Sequence, residues 1–177
     1  MKKIFAVLMV AMLLCGLFAG CNNSADEETL PATIPEATEP EEKEFLKNGI
    51  KFTLPGNFED YSQTPAGQEY TFLYAGPYNG VYGTEDSKAS LPESVKDLAS
   101  YAAHQATALG GEAVQKDGIW TLTYEDLTKN EPQMFVCAFY EGQDCYWTVT
   151  AYCPSQCYEE DQEIMWGYVT AVTFENE

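Results

Sequence analysis

The sequence predicts a single α+β domain in which a mostly antiparallel, curved sheet packs against two main helices. Three observations lead to this fold class. Short alternating or aromatic-rich runs, separated by turn residues, fill most of the chain from residue 45 to residue 177. One helical repeat of apolar residues interrupts them, and a second repeat follows the last run. Runs of strands around few helices are typical of an α+β sandwich.

The first segment of the chain is excluded from this domain. Lys2 and Lys3 precede an almost entirely apolar stretch, Ile4–Leu17, which is the layout of a secretory signal. The stretch FAGC, Phe18–Cys21, resembles the lipobox of bacterial lipoproteins, in which the cysteine is lipidated and the signal is cut directly before it. We therefore expect residues 1–20 to be a signal peptide and Cys21 to carry a lipid.

A lipid on Cys21 would anchor the protein to the outer face of the cell membrane without a membrane-spanning helix. The alternative is an uncleaved anchor, because the apolar run is near the lower limit of about 17 residues for a span. Cys15 is a poorer lipidation site than Cys21, since the bulky side chains of Leu13 and Leu14 precede it.

Residues 21–44 are predicted to form a disordered tether after the lipidated cysteine. Asn22–Glu44 contains three prolines, eight acidic residues and one lysine, with few apolar residues. Such a composition cannot bury enough surface to offset chain entropy. The proline residues and like charges keep such a segment extended.

The first half of the domain, which spans residues 45–177, is predicted to contain three strands and one helix. Alternating or aromatic-rich residues indicate strands at Gly49–Pro55, Glu69–Gly76 and Gly80–Ser87. A helix is predicted within residues 90–111, started by Ser90 or Ser94 and ended by two glycines. The apolar face of this helix is expected to contain Val95, Leu98, Ala99, Ala102, Ala106 and Leu109.

Strands dominate the second half until a closing helix. The predicted strands are Glu112–Asp117, Gly118–Asp126, Gln133–Tyr140 and Cys145–Cys153. Pro154 then suits the first turn of a helix whose buried face is expected to contain Ile164, Met165, Tyr168, Val169 and Val172.

The block FYEGQDCYWTVTAYCP, residues 139–154, is followed by a helix that carries MWGYVTAVTF, residues 165–174. This order of elements resembles the PsbP and Mog1p-like fold, and within it small bacterial lipoprotein domains of unassigned activity. The resemblance implies an α/β/α sandwich and no enzymatic activity. Photosynthetic relatives assist metal retention in a membrane complex, but this chain lacks a matching set of ligands.

The hairpin turn at residues 141–144 predicts which strand cysteines can meet. With this turn, Tyr140 would face Cys145 and Cys137 would face Thr148. Because side chains alternate along a strand, Cys137 and Cys145 then lie on opposite faces of the sheet. They cannot form a disulfide, which needs converging side chains, and we expect both to be buried.

Cys153 and Cys157 are the predicted disulfide. The chain doubles back between them, from a strand end through a proline into a helix, and an extracytoplasmic compartment permits the bond. A reversible redox pair is the alternative, although the spacing is C-x3-C rather than C-x-x-C. Zinc would need four ligands, and the only histidine, His104, is expected on the exposed face of the first helix.

The charge of the chain excludes some classes of partner. The sequence has 28 acidic residues, 9 lysines and no arginine. Phosphate backbones and anionic lipids are bound by clusters of basic residues, so neither nucleic acid nor direct lipid adhesion is expected. A cation or a basic partner would be attracted, although the acidity also serves solubility alone.

These observations favour a non-catalytic binding or accessory domain on an extracytoplasmic lipoprotein, with an unidentified protein or small-molecule partner. No catalytic residue, metal ligand or cofactor is predicted. Tyr74, Tyr78 and Tyr82 are candidate binding residues, unless they pack beneath a helix. The alternatives are a thiol-disulfide protein that uses Cys153 and Cys157, and a cation-dependent adaptor.

Overall fold

A computed structural model of the chain describes residues 41–67 and 69–174. The predicted signal peptide, Cys21 and all but the last four residues of the predicted tether lie outside the described residues. The described part forms two sheets and two helices, in the layers expected of an α+β sandwich.

The smaller sheet has three strands: β1 (Glu42–Lys47), β2 (Ile50–Pro55) and β10 (Val172–Phe174). β2 lies in the middle and pairs antiparallel with both neighbours. Asn48 and Gly49 join β1 to β2, with φ angles of 49° and 77°. Positive φ at both central residues is what a tight Asn-Gly hairpin requires.

Two of these strands differ from the sequence prediction. β1 was not predicted, and its first three residues fall within the segment assigned to the tether. β10 begins at Val172, which was expected on the buried face of the closing helix. Both are edge strands. The Asn48–Gly49 turn is a local signal for the pairing of β1 with β2, whereas the pairing of β10 with β2 spans the whole domain and no local pattern reveals it.

The larger sheet contains seven strands in the order β3-β4-β5-β9-β8-β7-β6, and all neighbours are antiparallel. Its strands are β3 (Glu59–Asp60), β4 (Phe72–Ala75), β5 (Gly80–Ser87), β6 (Val114–Lys116), β7 (Ile119–Asp126), β8 (Gln133–Glu141) and β9 (Cys145–Pro154). Every strand predicted from the sequence is present, several of them shorter than expected. The short β3 was not predicted.

The first helix, α1 (Leu98–Ala108), begins later than predicted. Asp97 is its N-cap: the side chain accepts a hydrogen bond from the Ser100 backbone N–H at 2.8 Å, and Ser100 Oγ accepts one from the Asp97 N–H at 3.0 Å. This reciprocal pair satisfies the N–H groups that a helix start leaves free. Ser90 and Ser94 are therefore not the cap.

The buried face of α1 also differs from the prediction. Tyr101, Ala102 and Ala106 are buried, whereas Leu109 is 39% exposed beyond the helix end. Tyr101 was not expected on this face, and it is the largest fully buried side chain of the domain. His104 is exposed, as predicted.

Each face of the larger sheet has its own apolar core. On one face, the small sheet and α2 (Tyr158–Thr170) pack with the buried side chains of Phe72, Trp147 and Val149. On the other face, α1 packs against Leu122, Phe139 and Tyr146. This arrangement confirms the predicted fold class.

The β8–β9 hairpin has a register two residues away from the predicted one. Tyr140 pairs with Trp147, and Cys137 pairs with Thr150, because the strands continue to Glu141 and a tighter turn closes them. A shift of two residues preserves the face of every side chain. Cys137 therefore lies in the α1 core, and Cys145 lies on the opposite face, as predicted.

Candidate functional site

The helix α1 covers only part of its face of the large sheet. Its buried side chains contact β7, β8 and the start of β9. The remaining part carries a group of aromatic side chains that we call the tyrosine face. Its members are Tyr70, Tyr82, Tyr124, Phe135 and Tyr152.

Strand pairing sets these rings side by side. Phe135 on β8 pairs with Tyr124 on β7 and with Tyr152 on β9. The Tyr124 and Phe135 rings stack with centroids 4.9 Å apart and planes 9° apart. Phe135 and Tyr152 are 6.1 Å apart, which continues the row into the middle of the sheet.

The row continues through β5 into the loop before β4. Tyr152 and Tyr82 have ring centroids 6.3 Å apart, and Tyr82 and Tyr70 are 4.4 Å apart. Aromatic pairs attract each other at centroid separations of about 4.5 to 7 Å, so the rings of this row are close enough to interact. Phe135 is buried, whereas the four tyrosines are half-buried, so each tyrosine ring keeps some exposed surface.

Burial favours the neutral form of three tyrosine hydroxyls in this face. Burial raises the pKa of Tyr124 to about 12. Burial also raises the pKa of Tyr82, whose hydroxyl interacts with Thr150 and Tyr124, and the pKa of Tyr152, where Tyr70 and Tyr61 add to the effect. The face therefore offers hydrogen-bonding groups on apolar rings, without negative charge of its own.

Three large exposed side chains lie near this face, one by its interaction with Tyr152 and two by their positions in the chain next to β5 and β7. Tyr61 interacts electrostatically with Tyr152 and is 38% exposed. Tyr78 is 79% exposed in the turn that joins β4 to β5, and Leu127 is 69% exposed directly after β7. Together with the half-buried rings, they extend the apolar area that a partner could cover.

A cleft with a volume of about 380 Å³ lies at the end of the sheet, where β7 and β9 end and β8 begins. Its lining combines the carboxylates of Glu125 and Glu131 with the amides of Asn130 and Gln156. One residue of its lining, Glu125, directly follows Tyr124 of the tyrosine face in the sequence. A second, polar cleft of about 490 Å³ lies at the opposite end of the β8–β9 hairpin.

The second cleft holds a cysteine among carboxylates. Cys145 is half-buried there beside Glu85, and burial, followed by the charge of Glu85, raises the pKa of the thiol. Lys88 neutralises part of the negative charge near this cysteine. Its Nζ donates hydrogen bonds to Glu141 at 2.8 Å and to the Gly142 carbonyl at 2.9 Å. A thiol with a raised pKa is a weak nucleophile and a weak metal ligand.

Cys153 and Cys157, the predicted disulfide partners, carry free thiols in the structure. Cys153 is fully buried at the end of β9, and Cys157 is half-buried at the start of α2. The two side chains interact electrostatically, and burial raises the pKa of Cys153 to about 11. This environment is the reverse of the one that activates a redox cysteine.

The three tyrosines singled out in the sequence have different positions. Tyr82 belongs to the tyrosine face, and Tyr78 is exposed at its margin. Tyr74 is 5% exposed and packs on the opposite side of the sheet, with its ring 4.6 Å from that of Phe45. Tyr74 is therefore a core residue and cannot form a binding surface.

Four members of the tyrosine face were not predicted as site residues: Tyr70, Tyr124, Phe135 and Tyr152. Their alternation on β7, β8 and β9 could have placed three of them on one face. Among the residues that the structure describes, no group of three or more His, Cys, Asp or Glu side chains is placed to hold a metal ion. None of the described helices is long and apolar enough to span a membrane.

Comparison with known proteins identifies the fold. No protein-family model matches the chain, and no curated protein matches its sequence significantly. The structure is similar to the Ran-binding protein Mog1p of Saccharomyces cerevisiae, with a TM-score of 0.51 and 12% identity over 76% of this chain and 96% of that one. It is also similar to CyanoP, the cyanobacterial PsbP of Synechocystis sp. PCC 6803, with a TM-score of 0.52 and 10% identity over 90% of this chain and 100% of that one. The fold is therefore PsbP/Mog1p-like, as the sequence predicts.

Proposed function

We propose that this protein is a non-catalytic binding protein, anchored by a lipid on Cys21 to the outer face of the cell membrane, whose tyrosine face holds a basic protein partner. The tyrosine face carries this proposal. Aromatic side chains with a polar hydroxyl are enriched where proteins bind each other, because they bury a large area and still form hydrogen bonds. The signal peptide and the lipobox, Phe18–Cys21, support the location.

Charge supports a basic partner. Cleavage before Cys21 would remove Lys2 and Lys3 and leave seven lysines against 28 acidic residues, a formal charge of −21. Acidic residues also stand at the tyrosine face itself, where Glu59 accepts a hydrogen bond from Tyr61 at 3.1 Å and Asp126 acts on the pKa of Tyr124. Such a surface attracts a positively charged protein over a distance and repels an acidic one.

The fold is compatible with this role. Mog1p of yeast, which shares the fold, is a Ran-binding protein. The raised pKa of Cys153 weighs against the thiol-disulfide alternative, since the attacking species in that chemistry is the thiolate.

Site-specific photo-crosslinking in cells tests the proposal. A benzoylphenylalanine residue replaces Tyr78, at the margin of the tyrosine face, and in a control it replaces Ile164, which is 48% exposed on α2. We expect a discrete crosslinked product with a basic protein from position 78 only.

A second pair of variants locates the contact. Leu127→Lys replaces an exposed apolar side chain with a positive charge that repels a basic partner, and it should abolish the product, whereas Leu46→Lys, at a site 55% exposed on β1, should leave it unchanged. Equal products from positions 78 and 164, or a product that survives Leu127→Lys, would contradict the proposal.

A further inference from the structure

The cleft at the end of the sheet has more hydrogen-bond acceptors than donors. Glu125 and Glu131 are both exposed, and no described residue donates a hydrogen bond to either carboxylate or forms an ion pair with it. Asn130 and Gln156 each add an amide oxygen as an acceptor and an NH2 group as a donor, so the excess of acceptors comes from the two carboxylates. No lysine lines the cleft.

The backbone of the cleft provides few hydrogen-bond donors to offset this excess of acceptors. Pro132 and Pro154 also line the cleft, and proline has no N–H to donate. The Ser155 N–H is already bonded to the Pro132 carbonyl at 2.9 Å. The buried Ser155 Oγ has no hydrogen-bond partner among the described residues, which is rare for a buried polar atom.

We propose that this cleft binds the guanidinium group of an arginine side chain on the protein partner, an inference that rests on the proposed function. A guanidinium group presents five N–H donors and no acceptor, which complements the lining of the cleft. Its planar fork fits a carboxylate with two parallel hydrogen bonds, and the rings of Pro132 and Pro154 offer apolar surface to its stem.

Arginine fits this cleft better than lysine does. An ammonium group is a compact, strongly hydrated charge, whereas a guanidinium group is less hydrated and can engage two carboxylates in defined directions. The volume of about 380 Å³ is at the lower end of the range for ligand pockets, roughly 300 to 1,000 Å³, which suits one side chain rather than a large cofactor.

The position of the cleft links it to the tyrosine face. Glu125 follows Tyr124 on β7, and Pro154 lies two residues after Tyr152 on β9. Pro154 shares the face of Tyr152, whereas Glu125 points to the opposite face from Tyr124, so the cleft lies at the end of the sheet beside these rings. A partner that covers the two rings and extends past the strand ends would bring a side chain to the mouth of the cleft. The arginine would fix the orientation of the partner, and the tyrosine face would supply the larger contact area.

A titration of the purified whole chain with capped amino acids tests this inference. The probes are N-acetyl-arginine amide, N-acetyl-citrulline amide, which has nearly the same shape without the charge, and N-acetyl-lysine amide. Nuclear magnetic resonance follows the side-chain amides of Asn130 and Gln156. We expect saturable shifts with the arginine probe and an affinity at least about tenfold lower for citrulline.

Variants with matched controls define the residues. Glu125→Gln combined with Glu131→Gln keeps the size of both side chains and should lower the affinity for the arginine probe about tenfold or more. Glu163→Gln, on the exposed surface of α2, should not change it. Equal binding of citrulline, no effect of the double variant, or displacement of the probe by micromolar Ca²⁺, which would make a divalent cation the occupant, would overturn the inference.

The crosslinking assay separates this inference from the proposed function. The double variant should weaken the crosslink from position 78. If Leu127→Lys abolishes the crosslink and the double variant leaves it unchanged, the tyrosine face binds a partner but the arginine assignment is wrong. If no product forms at position 78, the proposed function fails, whatever the cleft binds.

Discussion

The ring of Tyr152 lies against the α-carbon of Gly80, its partner across β9 and β5, so closely that a β-carbon at position 80 would overlap the ring. This contact holds the ring in the middle of the tyrosine face, between Tyr82 and Phe135. The absence of a side chain at position 80 therefore contributes to the shape of the proposed binding surface.

Gly80→Ala should change this surface more than it changes stability. The ring of Tyr152 is half-buried and can move outward, so we expect the free energy of unfolding to stay within about 1 kcal/mol of the wild-type value. The near-ultraviolet circular dichroism should change, and the crosslink from position 78 should weaken. A variant with a wild-type spectrum and an unchanged crosslink would show that the position of the ring does not matter.

Gly83→Ala, three residues further along β5, should be destabilising instead. A β-carbon there would overlap the ring of Phe72, which is fully buried and stacks on Phe52 with centroids 4.7 Å apart. Because that ring has no free space to move into, we expect a loss of about 1 to 3 kcal/mol in urea unfolding.

Gly167→Ala is the control for this experiment. Gly167 lies within α2, and a β-carbon there meets nothing within 4 Å. Alanine should therefore stabilise the helix by roughly 0.5 to 1 kcal/mol. If Gly83→Ala and Gly167→Ala changed the free energy of unfolding equally, the close contact between Gly83 and the Phe72 ring would be contradicted.

The hydroxyl of Tyr140 is predicted to stabilise the domain through one hydrogen bond. It donates a hydrogen bond to the Val169 carbonyl in the last turn of α2, where helix carbonyls lack partners within the helix. Tyr140→Phe should therefore cost about 1 kcal/mol at neutral pH. Tyr78→Phe, at an exposed position, should cost nothing measurable.

Burial raises the pKa of Tyr140 from 10.0 to about 12. The folded protein then binds this proton more tightly than the unfolded chain, so its contribution is complete below pH 10 and is lost as the pH rises from 10 towards 12. Unfolding in urea across this range should show a decline in stability that is shallower in Tyr140→Phe. The same slope in both proteins would show that Tyr140 does not cause it.

The Cys153–Cys157 disulfide remains a prediction for the protein in an oxidising compartment. Mass spectrometry with alkylation should find two hydrogens missing from the secreted chain. Reduction should lower its free energy of unfolding by about 2 kcal/mol, the order expected for a short closed loop. Cys157→Ser should abolish the bond, and Cys145→Ser should preserve it. Four alkylated thiols in the secreted chain would exclude the bond.

Lipidation at Cys21 predicts where the protein is found after fractionation. Cys21→Ser should prevent lipid attachment and leave the chain unable to incorporate labelled fatty acid, while Cys15→Ser should behave as the wild type. If the wild type incorporates no labelled fatty acid and still remains in the membrane, the alternative of an uncleaved apolar anchor is favoured.

The sequence predicts those parts of the fold that local patterns encode. The alternation on β7, β8 and β9 places these strands, and the parity of their side chains separates Cys137 from Cys145 even though the register differs by two residues. The start of α1 was missed because Asp97 and Ser100 form the cap, although Ser90 and Ser94 had equally suitable side chains.

The binding surface could be predicted only in part. Tyr124, Phe135 and Tyr152 share a face by alternation along consecutive strands. Tyr82 joins them because β5 pairs with β9, across a separation of more than sixty residues, and no local signal encodes that pairing. The same limitation explains why Tyr74 was grouped with Tyr82, although the pairing of β4 with β5 places the two side chains on opposite faces of the sheet.

The central position of β2 in the small sheet has a consequence for biogenesis. Ile50 and Phe52 are among the first domain residues to leave the ribosome, yet they pair with Phe174 and Val172, which are among the last. Ile50 and Phe52 are buried in the folded domain, and they stay uncovered until the C-terminal strand pairs with β2. The small sheet therefore cannot close until residues 172–174 have left the ribosome, so the burial of β2 depends on the last strand of the domain.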